Sequence, residues 1–309
     1  MVPGEERGQS TVEWVGTLCV VSLLLVGLVG VGVRVPGTDL ARGIAARILC
    51  AASLADGCGD EPALIAVYGT EVGKLARRYM PMLAFEQGSR ALPVDFRRCR
   101  ETSCGDGSQR GLVHRTDARL SVTAFVHVVD CREGKAERAE AMGAECSGLR
   151  AGNLYLQYWT YYADSATLRD LPVVGEKGYH ADDWESVQIR IGPDGEIDER
   201  ASSHNGYNYA LNAMNWGSDA GIEPLRDATE SLGSRAENGW GPARGLLLVS
   251  GGSHAGNAAG IPHVDRFTPG HRVHLIALEP IAATDASTFA ISPPWRKRVW
   301  SDPEAPGTD

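Results

Sequence analysis

His180, Asp183 and Glu185 fall within six residues of one another in Gly178-Tyr-His-Ala-Asp-Asp-Trp-Glu185, a spacing that brings an imidazole and two carboxylates together. From Glu185 onward the chain alternates, with Val187, Ile189 and Ile191 on one face and Ser186, Gln188 and Arg190 on the other. That period of two is the pattern of a half-buried strand. Extended backward, it puts Asp183 and Glu185 on the apolar face and Trp184 on the polar one. A buried carboxylate must be paired, protonated or bound to a metal ion. The alternative is that this end of the strand projects past the core, leaving both acids in water. Two further histidines sit in polar loops after strands: His204 in Ser202-Ser-His-Asn-Gly-Tyr207, and His254 in Gly251-Gly-Ser-His-Ala-Gly256. Beside a metal ion, these two catalytic candidates could supply acid/base chemistry for hydrolysis. Hydrogen bonding to loop backbone is the simpler role for both. Ser253 and His254 are not a nucleophile pair by adjacency, and the chain has neither a Gly-x-Ser-x-Gly elbow nor a phosphate-binding glycine loop.

The strands needed to position these groups follow from the same alternation. Leu120–Val129, Leu154–Tyr162, Trp184–Ile191, Gly245–Ser250 and Val273–Leu278 read as strands, with long polar loops between them, notably 200–243. The fold class expected is mainly β: an antiparallel β-sandwich over residues 80–298, with one face of each sheet buried and one wet. The aromatics Tyr158, Trp159, Tyr161 and Tyr162 fit either a ligand platform or the sandwich core. Ahead of this domain, residues 34–79 read as a helical stalk. One helix spans 38–56 with Leu40, Ile44 and Ile48 in register, and a second runs from Asp60-Glu61-Pro62 to Arg78. Residues 299–309 form a tail, expected to be mobile from Pro303 on.

Residues 14–33 carry no charge, and twenty helical residues span about 30 Å, the thickness of a bilayer's hydrocarbon core. They are expected to form a single transmembrane helix behind a cytosolic leader, residues 1–13. Arg34, Arg42 and Arg47 follow the segment, which by the positive-inside rule would put its C-terminal side in the cytoplasm. The cysteines point the other way. Cys50, Cys58, Cys99, Cys104, Cys131 and Cys146 fall into three close pairs, and sequential bridges would each close a short loop in an oxidising compartment. Six cysteines allow fifteen connectivities, and a zinc site competes, though no Cys-x2-Cys spacing is present. The formal charge of -9 provides no basic field for phosphates, so no nucleic-acid partner is expected.

Arg7-Gly-Gln-Ser-Thr-Val-Glu13, followed by the apolar run, resembles the type IV pilin-type leader of tight-adherence systems. The resemblance implies cleavage after Gly8, Glu13 as the fifth mature residue, an N-terminus in the cytoplasm and membership of a pilus-like assembly. It agrees with the cysteines, so residues 34–309 are expected outside the plasma membrane, held by one span. Four further segments, in order, resemble the family related to vacuolar protein sorting-associated protein 62. They are Arg78-Tyr-Met-Pro-Met-Leu-Ala-Phe-Glu86 with Ala91-Leu-Pro-Val-Asp-Phe96, the aromatic strand Tyr155–Tyr162, the His180-to-Glu185 box, and Gly252-Ser-His-Ala255.

The box is also similar to the Gly-His-Arg-His-Asp-Trp-Glu heptapeptide of the necrosis- and ethylene-inducing cytolysins, which are β-sandwich proteins. Carried over residue by residue, that resemblance implies a divalent cation held by Asp164, His180, Asp183 and Glu185. Asp182 replaces the family's second histidine, and the segment between Asp164 and His180 is longer, which puts cytolysis in doubt. Three carboxylates and an imidazole suit a hard ion, calcium or magnesium, with manganese or zinc as alternatives. The expected function is a membrane-anchored, extracytoplasmic binding or structural component whose partner is an envelope glycan or lipid headgroup. The alternatives are a metal-dependent hydrolase of an envelope substrate and a cytolysin-like membrane-active protein.

Overall fold

The structure is a computed structural model that describes residues 60–102, 105–106, 113–166, 179–203, 206–207, 239–258, 267–268, 273–278 and 286–306. The leader, the 14–33 segment, the helix expected at 38–56, His204 and four of the seven cysteines, Cys19, Cys50, Cys58 and Cys104, fall outside these. Among the described residues no helix is long and apolar enough to cross a membrane. The chain divides into two compact units, Met1–Gly73 and Lys74–Asp309.

The helix expected over Asp60–Arg78 is two helices, α1 (Asp60–Tyr68) and α2 (Thr70–Arg78). Gly69 separates them with φ +83°, a left-handed conformation that ends a helix at low cost only for glycine. Four residues on, Gly73 lies so close to the first helix that a Cβ would stand 2.5 Å from the Ile65 nitrogen.

The second unit is mainly β, built from two mixed sheets and few helices. Its large sheet runs β12 (His274–Ala277), β4 (Thr123–Asp130), β5 (Leu154–Ala166), β6 (Tyr179–Ile191), β7 (Ile197–Ser203) and β8 (Gly206–Tyr207), with β9 (Gly241–Pro242) also paired to β7. The small sheet runs β1 (Met82–Phe85), β10 (Leu246–Val249) and β11 (Gly256–Asn257). A two-stranded ribbon, β2 (Gly105–Asp106) and β3 (Arg115–Thr116), stands apart.

The expectation of an antiparallel sandwich is corrected here, because each large pairing set contains a parallel pair: β12 with β4 and β1 with β10. Parallel neighbours need long crossovers, and both pairs join segments far apart in the chain. Side-chain alternation is the same in either direction, so it carries no sign of this. The expected loop from residue 200 is likewise partly strand, in β7 and β8.

Both faces of the large sheet are buried, which also corrects the expectation of a wet face. On one face, Tyr158 donates through its hydroxyl to the Ala76 carbonyl at 2.7 Å, and Gly256 of β11 rests against Ala201 of β7. On the other, Trp184 joins Phe96, Phe125, Trp159, Tyr161 and Phe289 in an aromatic core. Gln157 and Gln188 lie on this face without exposure, the first donating to Val299 O at 2.7 Å and the second accepting from Arg200 at 3.1 Å. A polar residue can face inward when the covering segment offers it a partner. That covering segment includes residues 302–305, all buried, so the chain is packed through Ala305 where mobility was expected from Pro303. The four aromatics of β5 belong to the core rather than to a surface platform.

Cys131 and Cys146 form the expected disulfide, closing the loop that carries the short helix α4 (Ala136–Ala141). Cys99, in α3 (Phe96–Thr102), is also disulfide-bonded.

Candidate functional site

The β5–β6 register sets Asp183 opposite Tyr162, Glu185 opposite Thr160 and Asp164 opposite Ala181. Side chains two apart on a strand share a face, so all three carboxylates stand on the same side of the sheet. Between them the ladder skips Ala163 and Asp182, and Asp182 has φ +55°. Its carboxylate turns into the core, accepting from the Tyr161 hydroxyl at 2.6 Å and the Ala290 amide at 2.8 Å. Asp182 is therefore a structural brace. His180 lies opposite Ser165, and its Nε2 is 3.9 Å from Asp183 Oδ1.

His254 arrives from the turn between β10 and β11. The turn is pinned by the Gly251 amide donating to Glu86 Oε2 at 2.8 Å, the Ser165 hydroxyl donating to Gly252 O at 3.3 Å, and the Ser250 amide donating to Ala255 O at 3.1 Å. His254 itself has φ +57° and stacks on Tyr162, with ring centroids 3.8 Å apart and planes at 3°. Its Nδ1 lies 2.8 Å from Asp183 Oδ2, and its Nε2 is buried without a hydrogen-bond partner among the described residues. His254 thus meets one of the predicted acids, Asp183.

Two partners of the carboxylates are invisible in the spacing of the sequence. His114, just before β3, donates its amide to Asp164 Oδ1 at 2.9 Å and Oδ2 at 3.1 Å, and its Nδ1 also pairs with Oδ2. Asp164 is fully buried there. Ser202 on β7 donates its hydroxyl to Glu185 Oε2 at 2.5 Å and accepts from the Ser186 amide at 2.5 Å. Neither residue repeats with a period that links it to the box; only the fold brings them in.

Electrostatically the site is crowded with like charge. Burial and the neighbouring Asp183 push the Glu185 carboxyl well above the usual range, against the Ser202 hydrogen bond and the Lys297 charge, which pull it down. Burial and Glu185 likewise push the Tyr162 phenol up. The donor set fits a hard cation in kind: three carboxylates on one face, and a buried imidazole nitrogen without a hydrogen-bond partner among the described residues. As the side chains stand, no three His, Cys, Asp or Glu groups among the described residues converge on one point. Holding an ion there would require the carboxylates to swing inward from their present partners.

No family description matches this chain, and no curated protein is similar to it. Several solved structures align with part of this chain. NLPPya in complex with mannosamine aligns at 15% identity over 66% of this chain and 73% of that one, with a TM-score of 0.32. A structure described as a toxin fold for microbial attack and plant defense aligns at 16% identity over 67% and 73%, with a TM-score of 0.34. Necrosis and ethylene inducing protein 2, from the causal agent of cocoa's Witches' Broom disease, aligns at 15% identity over 66% and 72%, with a TM-score of 0.32. Likeness at this level assigns neither a family nor an activity to this chain.

Proposed function

We propose that the β domain binds one divalent cation at the β5–β6 edge and serves as a binding or structural surface component, tethered to the membrane by residues 14–33. The observation that carries this reading is the placement of Asp164, Asp183 and Glu185 on one face, with Glu185 pushed toward its neutral form by burial and by Asp183. Like charges gathered in a low-dielectric site are costly, and a bound cation offsets that cost. Asp164, His180, Asp183 and Glu185 would hold the ion, calcium or magnesium in class. Once bound, the ion offers Lewis acidity and open positions for ligand oxygens. The hydroxyls of an envelope glycan or the phosphate of a lipid headgroup could fill those positions.

Metal analysis and calorimetric titration of the full chain test the reading. The parent should bind one equivalent, and Asp183→Ala and Glu185→Ala should each weaken binding at least tenfold, since each removes a charged ligand. Equal metal content in all three proteins would end the proposal.

A metal-assisted hydrolase is the second reading, favoured by the contact between His254 and Asp183. An imidazole held at Nδ1 by a carboxylate is oriented as a general base is. Against turnover stands the burial of His254, 2% exposed, which keeps substrate water from Nε2.

A further inference from the structure

Trp295-Arg-Lys-Arg-Val-Trp300 carries three cations in a chain whose formal charge is -9, and no acid occurs between Asp285 and Asp302. Both ends of the run are aromatic. Arg296 and Arg298 are exposed, Lys297 is half-buried, and Trp295 and Trp300 each keep part of their surface in water. Arg298 pairs with Asp302 at 3.3 Å, but that carboxylate also accepts from Arg150 at 2.6 Å, so one acid is shared between two cations. Among the described residues Arg296 and Lys297 have no ion-pair partner, although the charge of Lys297 acts on Glu185 through space.

A charge run on a surface is ordinarily a solvated face whose side chains and backbone move freely. Here the backbone is fixed. The Arg296 amide donates to Pro293 O at 2.9 Å, the Lys297 amide to Pro294 O at 3.0 Å, and the Trp300 amide to Lys297 O at 3.1 Å. Val299 is buried beneath the run, its carbonyl accepting from Gln157 at 2.7 Å. Trp295 packs edge-on against Phe289, with centroids 5.7 Å apart and planes at 80°. Trp300 lies flat on His127, at 3.5 Å and 11°. The two indoles are thus rooted in the core and bracket the three cations on a rigid strip.

Those rings decide which anion fits. A bilayer is gripped by apolar side chains that reach into the headgroup layer, and indoles packed against core rings cannot reach out in that way. An acidic polypeptide or an isolated phosphate would meet the cations and leave the indoles unused. An acidic sugar chain uses both: its carboxylates match the planar guanidinium forks, and the apolar C–H faces of its rings match the exposed parts of the indoles.

We infer that residues 295–300 form a binding strip for an acidic glycan, a uronic-acid oligosaccharide in class, made of residues other than the carboxylates of the β5–β6 edge. From the reading above it takes only the kind of partner, an envelope glycan, and no metal ion takes part.

The test is calorimetric titration of the full chain with a chelator present. The probes are an oligoglucuronate, the oligoglucose of the same linkage, polyglutamate and glycerol phosphate. The proteins are the parent, the double variant Arg296→Gln/Lys297→Gln, and Lys135→Gln, which removes an exposed cation from the Cys131–Cys146 loop. The parent should bind the oligoglucuronate at least about tenfold more tightly than the other three probes, and added salt should weaken that binding. The double variant should lose about tenfold, the scale of lost charge-assisted hydrogen bonds, while Lys135→Gln should match the parent. No binding of the oligoglucuronate by the parent, or an unweakened double variant, overturns the inference. So does equal affinity for polyglutamate or glycerol phosphate, which would reduce the strip to bare charge, or for the neutral oligoglucose, which would remove the cations from recognition. The chelator keeps any divalent ion out of these titrations, so failure here and failure of the metal titration are read separately.

Discussion

Glu199 shows how the face that carries the site treats charge. It lies opposite Ile189, on the same side of the sheet as Glu185, and is 1% exposed. The Arg244 amide donates to its Oε2 at 2.9 Å, while Oε1 is buried without a partner among the described residues. Burial pushes its carboxyl up to about 7, against the Arg244 and Gly245 amides and the Arg244 charge, which pull it down. The folded pKa thus exceeds the unfolded one, near 4.5. The folded state then binds more protons between those values, so stability is fullest below about 4.5, falls as pH rises through about 7, and levels off above. The shift corresponds to about 3 kcal/mol at most. Denaturant unfolding of the parent at pH 5 and pH 8 should show this fall, and Glu199→Gln, which cannot ionise, should flatten it. An unchanged slope in Glu199→Gln would assign the pH dependence to other groups.

At the scale of elements, the site depends on how closely the small sheet meets the large one, because the β10–β11 turn delivers His254. Gly256 makes that approach: a Cβ added there would stand 2.8 Å from Ala201 Cβ and 3.3 Å from Leu247 Cδ1. Gly256→Ala should force the sheets apart and cost about 1–3 kcal/mol, the usual penalty of overpacking. Gly241→Ala on β9, where a Cβ would meet nothing within 4 Å, should stay within about 0.5 kcal/mol. Equal urea midpoints for the two variants would contradict the tight contact. The strands that carry the acids were legible, since β5 and β6 alternate in the sequence and β6 extends that alternation back to Asp183. What alternation cannot carry is the identity of the neighbour. The pairing of His114 with Asp164 spans 50 residues, and that of His254 with Asp183 spans 71. Alternation puts Trp184 on the polar side, which Ser186, Gln188 and Arg190 share. That side is buried because Gln188 and Ser186 sit under a covering segment whose sequence has no periodicity to announce it.

Across the whole second unit, that covering segment is closed by one carboxylate. Glu304 accepts from the Tyr155 hydroxyl at 2.8 Å, the Trp240 indole at 2.8 Å and Arg190 Nη1 at 3.1 Å. Beside it, Arg200 is fully buried, its guanidinium 3.7 Å from the Tyr207 ring centroid and 4.3 Å from that of Trp240. Burial pulls Arg200 down to about 10, with Tyr207 and Glu304 raising it, so it remains charged at neutral pH. A buried cation whose compensating anion is removed is strongly destabilising, on the order of 3–5 kcal/mol. Glu304→Ala should therefore lower unfolding stability by that amount. Glu304→Gln, which keeps an acceptor for Tyr155 and Trp240 but loses the charge, should fall between it and the parent. The ordering separates charge from hydrogen bonding: equal losses in both variants would mean that the charge on Glu304 holds the segment. A loss below about 0.5 kcal/mol in Glu304→Ala would mean that the segment is held by its main-chain contacts, Gln157 to Val299 O and Arg200 to Pro303 O.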